Sequence, residues 1–137
     1  MNWRPLKYGL GLTAALWLGL SGTVFGATKA SEETAKMLSR AFEIAREVDN
    51  PYSKSAALDR LSEVYMMAGE YDGAIYVANR IEKPYTKTLA LDRVSRELYR
   101  VGDKAKAQET AVQAFQTAGE IPDAEWKTAG LIVVADN

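Results

Sequence analysis

Residues 51–69, PYSKSAALDRLSEVYMMAG, return as PYTKTLALDRVSRELYRVG at residues 84–102. The two copies are 33 residues apart. A unit that recurs at such a period is typical of helical arrays, in which each unit buries its apolar face by packing on its neighbours. The repeat therefore predicts an all-α fold before it indicates any chemistry.

The ends of the repeated stretch predict where its helices stop. Each copy closes on a glycine, Gly69 or Gly102, the residue best suited to a left-handed C-cap. A second apolar helix follows each glycine almost at once. Connections this short favour antiparallel hairpins, so each full unit is predicted to be one hairpin.

Partial copies flank the two full units. Alanines recur at 33-residue intervals, and they occupy positions 41, 74 and 107 and positions 45, 78 and 111. This indicates that a helix starting at Ser31 as N-cap is the second helix of an incomplete unit. Trp126 to Ala135 matches a first helix at a shift of 40, and the seven extra residues, around 118–122, are predicted to lengthen the connection.

The predicted layout is thus an array of about six antiparallel helices. It comprises a half unit at 31–50, full units at 51–83 and 84–119, and a half unit at 120–137. Together these form one domain, residues 27–137.

Composition limits the function classes. The chain has 137 residues, no Cys, no His and a net charge of −1. This excludes disulfides, thiolate nucleophiles and Cys/His zinc sites, and it provides no basic excess for a phosphate backbone. We expect no enzyme activity, no cofactor, no metal and no nucleic acid partner. A hydrolase using the Asp59 and Glu63 carboxylates would need a dry cleft.

The N-terminal segment predicts export. Arg4 and Lys7 precede an uncharged apolar run from Gly9 to Leu20, which is the layout of a signal peptide. The best cleavage position follows Gly26, giving a signal peptide of residues 1–26 and a periplasmic or secreted protein. The alternative is an uncleaved membrane anchor, since the charge-free stretch approaches the length that spans a bilayer.

The repeat resembles the tetratricopeptide repeat, a helix-turn-helix unit of about 34 residues. The matching residues are Leu58, Leu61, Tyr65, Gly69, Tyr71, Ala74 and Ile81 in the first unit, and Leu91, Val94, Leu98, Gly102, Lys104, Ala107 and Ala114 in the second. The family's tryptophan and its small glycine are replaced by Leu and Ser, so the chain resembles divergent members in exported bacterial proteins. The resemblance implies a right-handed α-α superhelix. HEAT-type repeats, whose units are longer, are the structural alternative.

The resemblance also implies a concave peptide-binding groove lined by the first helices. The positions that correspond to the groove are Ala56, Asp59, Glu63, Met66 and Met67, then Leu89, Asp92, Arg96, Tyr99 and Arg100, and finally Ile132 and Asp136. Adaptable Met side chains beside Tyr and Arg are common on such surfaces. The alternative is that these residues form a solvated face, with Asp92 and Arg96 as an i,i+4 pair.

The last half unit differs from the others in polarity. Ile132 and Val133 stand where the full units carry Asp-Arg pairs. An apolar terminal helix invites contact with another chain, including a second copy in a homo-oligomer. Alternatively, the helix turns to bury Val133 against the preceding hairpin.

From these observations we expect an exported, non-enzymatic module that binds a protein or peptide. The alternative is a membrane-tethered structural or assembly factor for a membrane or envelope complex.

Overall fold

Six α-helices make up the fold in the computed structural model, which describes the backbone of residues 21–135 and the side chains of residues 31–135. They are α1 (Ser21–Arg46), α2 (Pro51–Met67), α3 (Tyr71–Asn79), α4 (Pro84–Arg100), α5 (Lys104–Gly119) and α6 (Ala124–Ala135). The described residues contain no strand. The predicted all-α fold, with six helices packed on their neighbours, is confirmed.

The chain divides between Met37 and Leu38 into two compact bodies, which are distinct from the repeat units. The side-chain contacts reported for this protein lie within the body that begins at Leu38. The predicted signal peptide falls largely on residues 1–20, outside the described part, so export remains a prediction. Within the described part, none of the helices combines the length and hydrophobicity needed to cross a membrane.

The predicted turns at the end of each first helix are confirmed. Gly69 has φ 78° and Gly102 has φ 94°, a left-handed conformation that costs glycine little and other residues much more. At the start of α2, the side chain of Asn50 accepts hydrogen bonds from the backbone of Tyr52 and Ser53, both at 3.0 Å. Pro51 then occupies a first-turn position, where its missing N–H costs nothing.

Two of the predicted boundaries are wrong. Ser31 does not begin a helix, because α1 runs through it from Ser21. Serine prefers a cap position but does not break a helix, and no proline stands nearby. The seven extra residues before α6 also do not lengthen a connection: α5 has 16 residues and α3 has 9, so the insertion lengthens the helix.

One apolar core runs through the helices of both full units. Its larger cluster consists of Leu38, Phe42, Ala45, Leu58, Leu61, Val77, Ala78, Ile81, Ala90, Leu91 and Ala114. A second cluster consists of Ala74, Val94, Leu98 and Ala107, with Tyr65, Met66, Tyr71 and Ile75 packed against it. The small residues let neighbouring helices approach closely, while the Leu, Ile and Val side chains provide most of the buried apolar area.

A buried serine fixes the two helices of each full unit to one another. Oγ of Ser62 donates to the carbonyl oxygen of Ala74 at 2.9 Å. In the next unit, Oγ of Ser95 donates to the carbonyl of Ala107 at the same distance. Each bond joins the first helix of a hairpin to the second, and it occurs at the position where the resembled family has a small glycine.

Polar pairs join one unit to the next, and each spans 34 residues. Arg93 donates to Asp59 at 3.1 Å, Lys106 donates to Asp72 at 2.8 Å, and Asn79 donates to Gln113 at 3.1 Å. The Asp59–Arg93 contact thus supports the stacking of adjacent units.

Candidate functional site

The predicted groove residues of the first unit are mostly engaged by other side chains. These residues are Ala56, Asp59, Glu63, Met66 and Met67. Asp59 is bound by Arg93 of the next unit, and Glu63 accepts from Arg60 at 3.0 Å. Met66 packs against the second apolar cluster, whereas Ala56 and Met67 are exposed. The two carboxylates therefore serve the array itself, and Met67 is the side chain most accessible to a partner.

In the second unit the predicted residues divide into buried and exposed groups. They are Leu89, Asp92, Arg96, Tyr99 and Arg100. Asp92 is only 5% exposed and pairs with Arg96 at 3.1 Å, so the predicted i,i+4 pair is present. Arg96 also donates to the carbonyl oxygen of Val133 at 2.9 Å. Leu89 is half-buried, while Tyr99 and Arg100 are exposed.

These contacts and the burial of Asp92 shift the pKa values of two carboxylates of α4, Asp92 and Glu97. Burial raises the pKa of Asp92 above its ordinary value, and the nearby Arg96 and Arg93 oppose that rise. Glu97 behaves in the opposite way: its pKa is lowered because Arg100 donates two hydrogen bonds to its carboxylate, at 2.6 and 2.8 Å.

The C-terminal helix exposes one of its two anomalous residues. Ile132 is 56% exposed, whereas Val133 is half-buried. The Arg96 guanidinium donates to the carbonyl oxygen of Val133 and so joins α4 to α6. Asp136, the other groove position of this half unit, lies outside the described residues.

A cleft of about 420 Å³ lies between α4, α5 and α6. It is lined by Ser95, Tyr99, Lys104, Ala107, Gln108, Ala111 and Val134. The lining combines an apolar floor with a hydroxyl, an ammonium and an amide, and the Lys104 ammonium lies 5.6 Å from the centre of the Tyr99 ring. We name this the α6 cleft. Its chemistry suits binding, since an apolar floor with a few polar groups is what ligand sites share.

Of the predicted groove residues that the structure describes, only Tyr99 lines the α6 cleft. The prediction missed Lys104 and Gln108, although the sequence contained a signal. They stand one period after Tyr71 and Ile75, which are half-buried between the units. The change from apolar to polar side chains indicates that this wall meets water or a polar partner.

The described residues contain no cluster of three acidic, His or Cys side chains that could hold a metal ion. Comparison of the chain with protein-family models, with curated proteins and with solved structures finds no match.

Proposed function

We propose that this chain is an exported, non-enzymatic module that binds a protein or peptide through a short array of tetratricopeptide-like repeats. The α6 cleft is the observation that supports this proposal. Its walls include helices α4 and α5 of the second unit, and its floor is apolar. An extended or helical peptide with one apolar anchor residue fits such a site.

The first unit indicates what the α6 cleft accepts. Three lining residues of the α6 cleft, Tyr99, Lys104 and Ala107, correspond in the first unit to Met66, Tyr71 and Ala74. Those three residues pack in one apolar cluster with Val94 and Leu98 of α4. The equivalent wall in the second unit receives only Val134 among the described residues of α6. A branched apolar side chain of a partner, similar to Leu98, therefore matches the remaining space.

A displayed peptide library tests this proposal directly. Peptides selected on the intact chain are measured against two variants of α5. Ala111→Trp fills the α6 cleft, and we expect it to weaken binding at least tenfold. Val112→Trp places the same bulk on an exposed site outside that cleft, so it serves as the matched control. If the selected peptides bind both variants with the same affinity as the parent chain, the assignment is refuted.

Self-association through α6 is a second proposal, supported by the exposure of Ile132. A single exposed isoleucine is common on protein surfaces. Ile132, however, stands at the position where the two full units carry the charged residues Asp59 and Asp92. Size-exclusion chromatography of the parent chain and of Ile132→Glu decides the matter. We expect a dimer or larger species that the substitution converts to monomer. A monomer in both samples removes the interface.

The membrane-tethered assembly factor remains the alternative to a freely exported module. The two differ in whether residues 1–26 are retained. Mass spectrometry of the natively expressed protein measures this directly. A mature N-terminus at Ala27 supports the exported module, and an intact segment recovered with membranes supports the tethered form.

A further inference from the structure

The repeat places a polar pair at each of two neighbouring junctions, and the two pairs differ in charge. Between the full units, Nδ2 of Asn79 donates to Oε1 of Gln113 at 3.1 Å. The corresponding positions one unit earlier hold Arg46 and Arg80, which are also 34 residues apart. Two guanidinium groups thus replace a neutral hydrogen-bonded pair.

Arg46 and Arg80 line one cleft, with a volume of about 460 Å³. Its other lining residues are Phe42, Lys54, Leu58, Tyr76 and Glu82. The lining therefore has three cations and one anion, which leaves a positive excess. We name this the arginine cleft. Guanidinium groups have donors but no acceptor, so the two arginines cannot form the bond that joins Asn79 to Gln113.

Aromatic rings hold both arginines in place. The guanidinium carbon of Arg80 lies 4.7 Å from the centre of the Tyr76 ring, and Nη2 of Arg80 donates to the Tyr76 hydroxyl at 3.1 Å. The guanidinium carbon of Arg46 lies 5.7 Å from the centre of the Phe42 ring. The two ring centres are 5.5 Å apart. Because the rings restrict both side chains, a ligand would lose less free energy in ordering them.

The existing carboxylates leave the positive charge incompletely compensated. Among the described residues, no carboxylate forms an ion pair with Arg80. Arg46 pairs with Glu43 at 3.2 Å, but both side chains are more than half exposed, and such pairs contribute little. Lys54 and Glu82 are 3.9 Å apart, at the limit of an ion pair. Like charges that face one cleft repel each other unless an anion lies between them.

We propose that the arginine cleft binds an oxyanion group, a carboxylate or a phosphate, carried by a ligand with an apolar or aromatic body. Arg46 and Arg80 donate to its oxygens, because the planar guanidinium fork matches two oxygen atoms at once. Lys54 adds a point charge from α2. The Phe42 and Tyr76 rings form the wall on which the ligand's apolar part packs. This proposal does not depend on the α6 cleft.

Two small probes test the site and distinguish the two oxyanions. Phenyl phosphate and benzoate are titrated separately into the full chain at constant ionic strength, and NMR follows the Nε–H groups of the arginines. We expect saturable shifts at Arg46 and Arg80 with at least one probe. Saturation with phenyl phosphate alone assigns a phosphate ligand, and saturation with benzoate alone assigns a carboxylate. No saturable shift with either probe overturns the proposal.

A double variant copies the neighbouring junction into this one. Arg46→Asn with Arg80→Gln recreates the Asn–Gln pair, so we expect at least tenfold weaker binding and a higher Tm in the absence of probe. Lys36→Gln with Arg60→Asn removes two positive charges at exposed positions that do not line the arginine cleft, and it should bind as the parent does. Undiminished binding by the first double variant would refute the site. The single Arg80→Gln variant, expected to bind at least threefold more weakly, provides the same test with a smaller change to the fold.

Discussion

Residues at equivalent repeat positions are buried in the middle of the array and exposed at its two ends. Val77 and Thr110 are each 1% exposed, because the first helix of their own unit covers them. Ile44, the corresponding residue of α1, is 60% exposed. At the other end, Thr88 is fully buried and Thr128 is exposed. Burial in this fold is thus a property of the neighbouring helix, and the same position loses it where that neighbour is missing from the described structure.

The largest expected effect comes from truncating the same leucine in the middle and at the end. Leu91 is fully buried, whereas Leu131, its counterpart in α6, is half-buried. We expect Leu91→Ala to lower the free energy of unfolding by about 2–5 kcal/mol, and Leu131→Ala by less than half as much. Chemical denaturation measures both. Equal losses would mean that α6 is as well packed as the interior.

Glycine substitutions test close packing within the first unit. A methyl group at Gly73 would come within 2.7 Å of Cε1 of Tyr65, whereas one at Gly119 meets no atom within 4 Å. Alanine gains about 1 kcal/mol of helix propensity over glycine in a helix interior, but overpacking costs about 1–3 kcal/mol. We therefore expect Gly73→Ala to lower Tm and Gly119→Ala to leave it equal or higher. A higher Tm for Gly73→Ala would show that the Tyr65 ring moves aside freely.

Two buried serines of α2 provide a finer comparison. Oγ of Ser62 donates to the Ala74 carbonyl, whereas the buried Oγ of Ser55 has no hydrogen-bond partner among the described residues. We expect Ser62→Ala to cost about 1 kcal/mol in the free energy of unfolding. Ser55→Ala should be neutral or stabilise by about 0.5 kcal/mol, since it removes an unsatisfied polar group. Denaturant midpoints measured in parallel compare them, and equal losses would contradict this account.

The smallest expected effect is a pH dependence of the free energy of unfolding that comes from Asp92. Asp92 pairs with Arg96 of its own helix, whereas the equivalent Asp59 pairs with Arg93 of the next unit. Burial raises the pKa of Asp92, so the folded state holds the proton more tightly than the unfolded state. Its contribution to stability is present below the unfolded pKa and is lost as pH rises through the raised folded pKa. As pH falls, the parent chain should therefore gain stability relative to Asp92→Asn.

Glu97 provides the control for this pH dependence. Its pKa is lowered, so its contribution is present above the unfolded pKa and is lost as pH falls through the folded value. The parent chain should therefore lose stability relative to Glu97→Gln over the acidic range. Thermal melts from neutral pH to about pH 3 measure both differences, and the same sign for the two variants would contradict the assignment.

Much of the fold could be predicted because its signals are local or repeated. Gly69 and Gly102 end helices through their own backbone freedom, and the period predicts which helix follows which. Ser31 misled the prediction because a capping residue is also tolerated within a helix. The seven extra residues before α6 were wrongly assigned to a connection. Their number can be read from the sequence, but whether they extend a helix or a loop cannot.

The candidate sites were harder to predict because they form between units. Tyr99 was identified through the groove pattern, but its cleft partners Lys104 and Gln108 lie on α5, which the groove pattern does not include. Asp92 was predicted to face a groove, yet it is buried and pairs with Arg96, which also donates to the Val133 carbonyl of α6. Such contacts depend on how two helices pack, and no local spacing contains that information.

The repeat period, the helical type and the two glycine helix ends followed from the sequence alone, because they depend on interactions within a few residues and on a repeated pattern. Which equivalent positions are buried and which are exposed depends on the packing of helices that lie far apart in the sequence. Arg46 and Arg80 illustrate the reason. In the sequence they are two charged residues 34 positions apart, and only the packing of α1 against the first full unit brings them to one cleft.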